Sequence, residues 1–148
     1  LKTSQGGNGY TVMVWASSTA TGGWRKLIGN SDNENYIDLY QGTASPPAWH
    51  QNGSGESLFY GPGISTSNDG YNINDGAWKC LWATNLNNGL VTNPTYALTI
   101  GNEPNSSPYG GNAYPWIGTI AMVMLYSRVL STNEMAQNYN ATKSRFGL

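Results

Sequence analysis

Two acidic side chains, Glu34 and Asp38, could in principle cooperate in hydrolysis of a glycosidic bond. That reaction needs two carboxyl groups facing one cleft, about 5–5.5 Å apart for retention of configuration and about 6.5–9.5 Å apart for inversion. In the run from Glu34 to Asp38, strand alternation places both carboxylates on one face of the chain. The alternative, which we favour, is that they only solvate a turn and the edge of a strand.

Other catalytic chemistry has no template in this chain. The sequence contains no Gly-x-Ser-x-Gly motif, no glycine-rich phosphate loop and no pair of histidines for zinc. A Ser-His-Asp arrangement would have to use His50, the one histidine, and nothing around it suggests an orienting carboxylate. Cys80, the single cysteine, excludes a disulfide within the chain, and we interpret it as an inert, buried thiol. We therefore assign no catalytic residue.

Aromatic side chains in turn-rich stretches suit a different chemistry, the binding of sugars. An aromatic face can stack against the C–H groups of a pyranose ring, while amide groups hydrogen-bond to its hydroxyls. The predicted ligand-binding residues are Trp24, Trp49, Tyr60, Asn102, Tyr109 and Tyr114, with Asn52 and Asn105 near them in sequence. The alternative for each aromatic residue is that it packs its own loop against the scaffold. The other tryptophans fall in predicted strands and are expected in the core: Trp15, Trp78, Trp82 and Trp116.

Charge is scarce in the chain, and this limits the classes of partner. The 148 residues include seven Lys or Arg and eight Asp or Glu, for a net charge of −1. Nucleic acid and anionic membranes call for clustered basic residues, so we exclude both. No signal peptide or transmembrane stretch is visible. Because the chain begins at Leu1 without a methionine, we expect it to be a processed or excised portion of a longer protein.

The composition predicts an all-β fold in a single domain that covers residues 1–148. The sequence has 19 Gly and 7 Pro, but also 6 Trp and 10 Tyr, which supply more buriable surface than a disordered chain carries. Short aromatic and β-branched runs alternate with turn residues, which is typical of all-β proteins. The predicted strands cover residues 10–15, 24–28, 36–40, 57–60, 78–84, 96–100 and 116–126. Residues 41–76 are the least regular, and 101–114 form a predicted loop.

A single helix is predicted after the last strand. Ser131 and Glu134 have the spacing of a capping box, and Leu130 and Met135 stand at the positions of a hydrophobic staple. The helix is expected to run to about residue 144, with Gly147 just beyond its end. Such a helix can cover an open side of the core.

These last residues carry a resemblance to a known family. The run from Trp116 to Glu134 resembles the closing strand and short helix of concanavalin A-like, laminin G-like domains: aromatic-x-Gly-x-Ile, an apolar strand ending in Tyr, then Arg-x-Leu-Ser and a Glu. Residues 10–15, 74–78 and 98–101 are similar to three earlier segments of that family, and 137–148 are similar to its C-termini in phage and bacterial surface proteins. The resemblance covers most of the chain and is absent across residues 41–73.

The resemblance implies an antiparallel β-sandwich, a concanavalin A-like jelly roll with one short C-terminal helix. This fold hosts carbohydrate-binding modules and glycoside hydrolases, and its hydrolases carry a Glu-x-Asp-x-x-Glu run that residues 34–38 lack. Laminin G-like relatives often hold calcium at the rim of the sandwich, where oxygen donors could come from Asp32, Asn33, Asp69 and Asn102. Because turns favour Asp and Asn for conformational reasons alone, we assign no metal and no cofactor, and calcium stays an alternative.

The expected function is therefore a non-catalytic binding or adhesion module on a phage virion or an extracellular cell surface. Its expected partner is a glycan or surface polysaccharide. The alternative is a structural virion or surface-assembly protein, of a decoration or fibre type, that contacts other subunits or copies of itself. A glycoside hydrolase that uses Glu34 and Asp38 is the third hypothesis.

Overall fold

The computed structural model describes residues 9–20, 25–29, 39–41, 49–50, 56–66, 74–85, 99–101 and 115–148. Within these ranges the strands are Tyr10–Ser17 (β1), Arg25–Gly29 (β2), Leu39–Gln41 (β3), Trp49–His50 (β4), Glu56–Tyr60 (β5), Ile64–Thr66 (β6), Lys79–Asn85 (β7), Thr99–Ile100 (β8) and Thr119–Tyr126 (β9). The helix Thr132–Thr142 (α1) follows, and a 3₁₀ turn, Lys143–Phe146, continues it.

The described strands form two sheets. The first has five strands in the order β6-β5-β7-β1-β9, and the second has four in the order β4-β3-β2-β8. Neighbouring strands within both sheets pair antiparallel. The described part of the chain is therefore mostly antiparallel β-sheet with one short C-terminal helix, which confirms the all-β prediction.

The observed strands agree with the predicted ones wherever an apolar run is long. Strands β1, β2, β5, β7 and β9 lie at or near the predicted positions, whereas β3 and β8 overlap predicted strands whose first residues fall outside the described ranges. Strands β4 and β6 were not predicted, because two or three residues are too few to show alternation. The last strand begins at Thr119 rather than at the predicted Trp116.

One face of β1 packs toward the four-stranded sheet. Val12 and Val14 of β1 are fully buried, and they share a hydrophobic cluster with Leu27 and Ile28 of β2 and with Leu81 of β7. We call this the aliphatic cluster; its other buried members are Tyr10, Ala16, Ala83 and Trp116. The cluster joins side chains from both sheets, so the two sheets share a hydrophobic core.

The other face of β1 packs against the C-terminal helix. Met13 and Trp15 lie in a second cluster with Trp82 of β7, Leu130 and Met135. This helix-side cluster contains all four methionines of the chain and its one cysteine: Met13, Met122, Met124, Met135 and Cys80. Strand β1 is consequently buried on both faces, and it carries apolar residues at both odd and even positions. Helix α1 covers one side of the core, as the sequence predicted.

The start of α1 has the predicted capping box. Glu134 N donates a hydrogen bond to Ser131 Oγ over 3.4 Å, and Ser131 N donates to Glu134 Oε2 over 2.8 Å. Leu130 and Met135 are 3% and 1% exposed and both lie in the helix-side cluster. Gly147 adopts the left-handed conformation at φ +75° directly after the 3₁₀ turn, where the sequence predicted the end.

The capping carboxylate gives the first testable prediction. The hydrogen bond from Arg128 and, to a smaller extent, those from Ser131 lower the pKa of Glu134 to about 2, so the folded protein favours the charged carboxylate. This stabilisation is fully present above the ordinary value of 4.5 and is lost as the pH falls through the folded pKa of about 2. We therefore expect the difference in free energy of unfolding between the wild type and Glu134→Gln, measured by urea denaturation, to shrink between these two values.

A control for this experiment is Arg128→Gln. It removes the ion pair between Arg128 Nη2 and Glu134 Oε1 but leaves both hydrogen-bond donors of Ser131 in place. Its pH dependence should lie between those of the wild type and Glu134→Gln. A difference that stays constant as the pH is lowered would contradict the assignment of this carboxylate.

Candidate functional site

The chain crosses from one sheet to the other just before β9. Pro115 forms a parallel bridge with Lys26 of β2, and Trp116 N donates to Gly101 O over 2.9 Å. Gly101 N in turn donates to Leu27 O over 2.9 Å, and a Cβ on Gly101 would lie 3.6 Å from Ile120 Cδ1. The ends of β8 and β9 therefore lie together, and we call this the β8/β9 margin.

The tryptophans predicted to be in the core differ in their burial. Trp15 and Trp82 are fully buried and Trp116 is 9% exposed, which confirms their placement in the core. Trp116 Nε1 is buried and has no hydrogen-bond partner in the described part of the chain. Trp78 lies directly before β7 instead of within it, is only half-buried, and packs against Phe146 with ring centroids 5.0 Å apart.

The predicted sugar-binding aromatics fall partly in the described ranges. Trp49 was predicted in a loop, and this is wrong: it lies in β4, where it pairs with Gln41 of β3. Tyr60 is the last residue of β5, directly before a turn, and is half-buried. The other predicted site residues lie outside the described residues, as do their neighbours in sequence: Trp24, Asn102, Tyr109, Tyr114, Asn52 and Asn105.

The turn after Tyr60 is held from several sides. Gly61 N donates to Cys80 O over 2.9 Å, Gly63 N donates to Tyr60 O over 3.2 Å, and Trp82 Nε1 donates to Gly61 O over 2.9 Å. A Cβ on Gly63 would lie 3.1 Å from Met135 Cβ, so the turn also packs against the start of α1. These contacts hold the backbone of the turn directly after Tyr60 in place.

An exposed apolar side chain lies beside Tyr60. Ile64 of β6 is the cross-strand partner of Tyr60, and cross-strand partners project from the same face of a sheet. Ile64 is 48% exposed. Tyr60 also pairs with Leu81, a member of the aliphatic cluster, so this face is the one toward the four-stranded sheet. Ile64 was not among the predicted site residues, although the Gly-Pro-Gly turn after the predicted strand 57–60 was a signal for a hairpin.

The described acidic side chains at Asp75 and Glu134 have structural partners. Lys79 Nζ lies 2.7 Å from Asp75 Oδ2, and Ala77 N donates to Asp75 Oδ1 over 2.9 Å. The hydrogen bond from Lys79 lowers the pKa of Asp75. Among the described residues, no three His, Cys, Asp or Glu side chains come together as metal ligands. The catalytic alternatives Glu34 and Asp38 and the calcium candidates Asp32, Asn33, Asp69 and Asn102 lie outside the described ranges.

Cys80 is a packing residue of the helix-side cluster. It is 2% exposed and lies in β7, where it pairs with Trp15. Burial raises the pKa of its thiol, because the thiolate would lose its hydration. The group is therefore a neutral thiol at physiological pH, which confirms the predicted burial and gives it no nucleophilic character.

No protein-family model matches the sequence, and neither a curated protein nor a solved structure matches it significantly. Within the described ranges, no helix is both long enough and apolar enough to span a bilayer.

Proposed function

We propose that the chain is a concanavalin A-like, laminin G-like β-sandwich that binds glycan without catalysis, as an adhesion module on a virion or an extracellular surface. Two antiparallel sheets that share the aliphatic cluster support the sandwich. The family pattern from Trp116 to Glu134 supports the same fold, because its strand, capping box and helix are all present in the described residues.

Strand order indicates where the binding surface of such a sandwich would lie. The ends of β8 and β9 lie together, and β2 packs on β1 through Leu27 and Ile28. If the two sheets face each other with β8 opposite β9 and β2 opposite β1, the next strands in the two orders also face each other. Strand β3 then lies opposite β7, and β4 lies opposite β5. Trp49 of β4 and Tyr60 of β5 then belong to one margin, which we call the β4/β5 margin.

The surface around Tyr60 carries the proposal. Its backbone is held by the turn at Gly61, and the exposed Ile64 lies on the same face. A pyranose ring presents C–H groups that pack on aromatic and aliphatic surfaces of this kind. Strand order puts a second aromatic residue, Trp49 of β4, at the same margin, and two aromatic residues at one margin suit an extended oligosaccharide.

The proposal of a non-catalytic module is supported by the ion pairs that two described carboxylates form. Asp75 and Glu134 are held in ion pairs with Lys79 and Arg128, so neither is available as a general acid. Glu34 and Asp38 remain the pair that a hydrolase would use. Turnover of an oligosaccharide that disappears in both Glu34→Gln and Asp38→Asn would replace this proposal with the hydrolase hypothesis.

The test is a glycan array probed with the full chain, followed by titration of any glycan that binds. We expect Trp49→Ala and Ile64→Ala each to weaken binding about tenfold, which is about 1.4 kcal/mol of binding free energy. Ile100→Ala is the matched control, because Ile100 is also exposed but lies at the β8/β9 margin. Circular dichroism would show that each variant folds.

The outcome of this test separates two classes of protein. Equal binding by the Trp49→Ala and Ile100→Ala variants would move the site away from the β4/β5 margin and contradict the proposal. No binding to any glycan, together with ordered self-assembly, would favour the structural virion or surface-assembly protein. That second candidate is supported by β9, an eight-residue strand at the end of the five-stranded sheet, because a long end strand can pair with another chain.

A further inference from the structure

The four methionines of the chain share the helix-side cluster but differ in exposure. Met13 and Met135 are 0% and 1% exposed. Met122 and Met124, which both lie in β9, are only partly buried. Peroxides oxidise a thioether where they can reach its sulfur, so exposure decides which methionine reacts. In the folded protein we therefore expect oxidation at the two methionines of β9.

Met124 differs from Met122 in its hydrogen bonding. Tyr126 Oη donates a hydrogen bond to Met124 Sδ over 3.2 Å. Burial raises the pKa of Tyr126, so the phenol keeps its proton and remains a donor at neutral pH. Among the described residues, no side chain donates a hydrogen bond to Met122 Sδ. A thioether sulfur is a weak acceptor and a sulfoxide oxygen is a polar one, so an oxidised Met124 already has its donor beside it.

The phenol of Tyr126 also joins β9 to α1. Asn138 Nδ2 of α1 donates a hydrogen bond to Tyr126 Oη over 3.0 Å. Met124, Tyr126 and Asn138 therefore form a chain of hydrogen bonds from the sheet to the helix. Once Met124 Sδ carries an oxygen, the O–H of Tyr126 turns from the sulfur to that better acceptor. The phenol then leaves the position in which it accepts from Asn138, and a polar oxygen enters an apolar cluster at a cost.

We propose that Met124 is a redox-sensitive modification site, through which oxidation by hydrogen peroxide loosens α1 from the five-stranded sheet. A lone pair of Met124 Sδ attacks one oxygen of the peroxide, so the S–O bond forms and the O–O bond breaks. The proton of the transferred hydroxyl joins the departing hydroxide to give water. The sulfur loses two electrons and the peroxide gains them, and the product is methionine sulfoxide.

The start of α1 also contacts the turn after Tyr60. A Cβ on Gly63 would lie 3.1 Å from Met135 Cβ and 3.2 Å from Thr132 O. Loosening of α1 therefore extends to this turn, and oxidation of Met124 should weaken glycan binding there, a consequence that rests on the proposed function. The loosening itself is measured without any ligand, so a chain that binds no glycan would remove only this consequence.

The experiment treats the full chain with hydrogen peroxide and follows each methionine by tandem mass spectrometry of its peptides. The two methionines of β9 should each gain one oxygen at least about tenfold faster than Met13 and Met135, because a buried sulfur reacts only when the fold opens locally. Hydrogen exchange in α1 should be faster in the oxidised protein than in the untreated one. Oxidation of Met13 or Met135 as fast as that of Met124 would overturn the proposal. Unchanged exchange in α1 after oxidation of Met124 would overturn it as well.

Leucine variants assign the effect to one sulfur. Met124→Leu keeps a similar volume but cannot form a sulfoxide, so peroxide should no longer speed exchange in α1. Met122→Leu is the matched control, because Met122 lies in the same strand and cluster, and it should respond to peroxide like the wild type. Equal responses of these two variants would contradict the assignment to Met124.

Tyr126→Phe tests the link between the sulfur and the helix. It removes the hydroxyl that Asn138 and Met124 share, so exchange in α1 should be faster before any treatment. Peroxide should then oxidise Met124 as before but change the exchange in α1 little further. A response to peroxide as large as that of the wild type would show that the effect does not pass through Tyr126. Circular dichroism checks the fold of all three variants.

Discussion

We expect a Trp15→Ala variant to lose about 3–5 kcal/mol of its free energy of unfolding, the usual range for truncating a fully buried tryptophan. Trp15 is 0% exposed and lies in the central strand β1, at the base of the helix-side cluster. Folded domains are stable by only about 5–15 kcal/mol in all, so the change removes a large part of the total. Urea denaturation followed by circular dichroism measures the loss.

The size of this effect comes from the contacts of Trp15 with the C-terminal residues. Trp15 Nε1 donates a hydrogen bond to Thr142 Oγ1 over 3.0 Å. The indole stacks on Phe146, with ring centroids 4.2 Å apart at 18°, and on Tyr139 at 5.6 Å and 17°. Removing it takes away the surface on which α1 lies, so hydrogen exchange in α1 should become faster than the global loss of stability explains.

The control is Trp78→Ala. Trp78 also packs against Phe146, but it is half-buried and lies outside the strands. Its removal should cost clearly less stability and should leave hydrogen exchange in α1 coupled to global unfolding. Equal losses in the two variants would show that burial of tryptophan surface, and not the position of Trp15 in β1, determines how firmly α1 is attached.

The second large effect is expected at Gly118, where the chain enters β9. Its φ of +149° lies outside the range that other residues adopt, and a Cβ there would collide with the carbonyl oxygen of Ser17. The same Cβ would lie 3.0 Å from Trp116 Nε1. We expect Gly118→Ala to cost about 1–3 kcal/mol for backbone conformation and a further 1–3 kcal/mol for the collision.

Gly147→Ala separates these two contributions. Gly147 has a φ of +75°, but a Cβ at this position would meet nothing within 4 Å. Its replacement should therefore cost only the conformational part, about 1–2 kcal/mol. Urea denaturation of both variants gives the comparison. If Gly118→Ala costs no more free energy of unfolding than Gly147→Ala, then β1 and the start of β9 can move apart without loss of stability. The contact between Gly118 and Ser17 would then not be a tight one.

Part of the candidate site was predicted from the sequence. Tyr60 and Trp49 were identified as sugar-binding candidates from residue type and turn-rich surroundings, yet Trp49 lies in a strand and Ile64 was missed. The exposed face beside Tyr60 depends on which strands are neighbours, and three-residue strands such as β6 show no alternation that would reveal this. Residue type predicts what a side chain can bind, and strand pairing decides what lies next to it.

The sequence by itself determined the local elements of this protein. The apolar residues on both faces of β1, the long apolar run of β9 and the capping box of Ser131 and Glu134 each involve only a few neighbouring residues, so they can be recognised without the rest of the fold. The same holds for Gly147, whose left-handed conformation ends the helical residues.

Only the tertiary structure decided which elements meet. Thr11 Oγ1 donates to Arg128 O, 117 residues away, and Trp15 bonds to Thr142, 127 residues away. It also decided that one face of β1 packs toward β2 and the other against α1, and that β9 ends the five-stranded sheet. Apolar residues on both faces of a strand show that both are buried, but they do not specify the partner. Partners are chosen by burial and hydrogen bonding across long separations of chain, which no short pattern encodes.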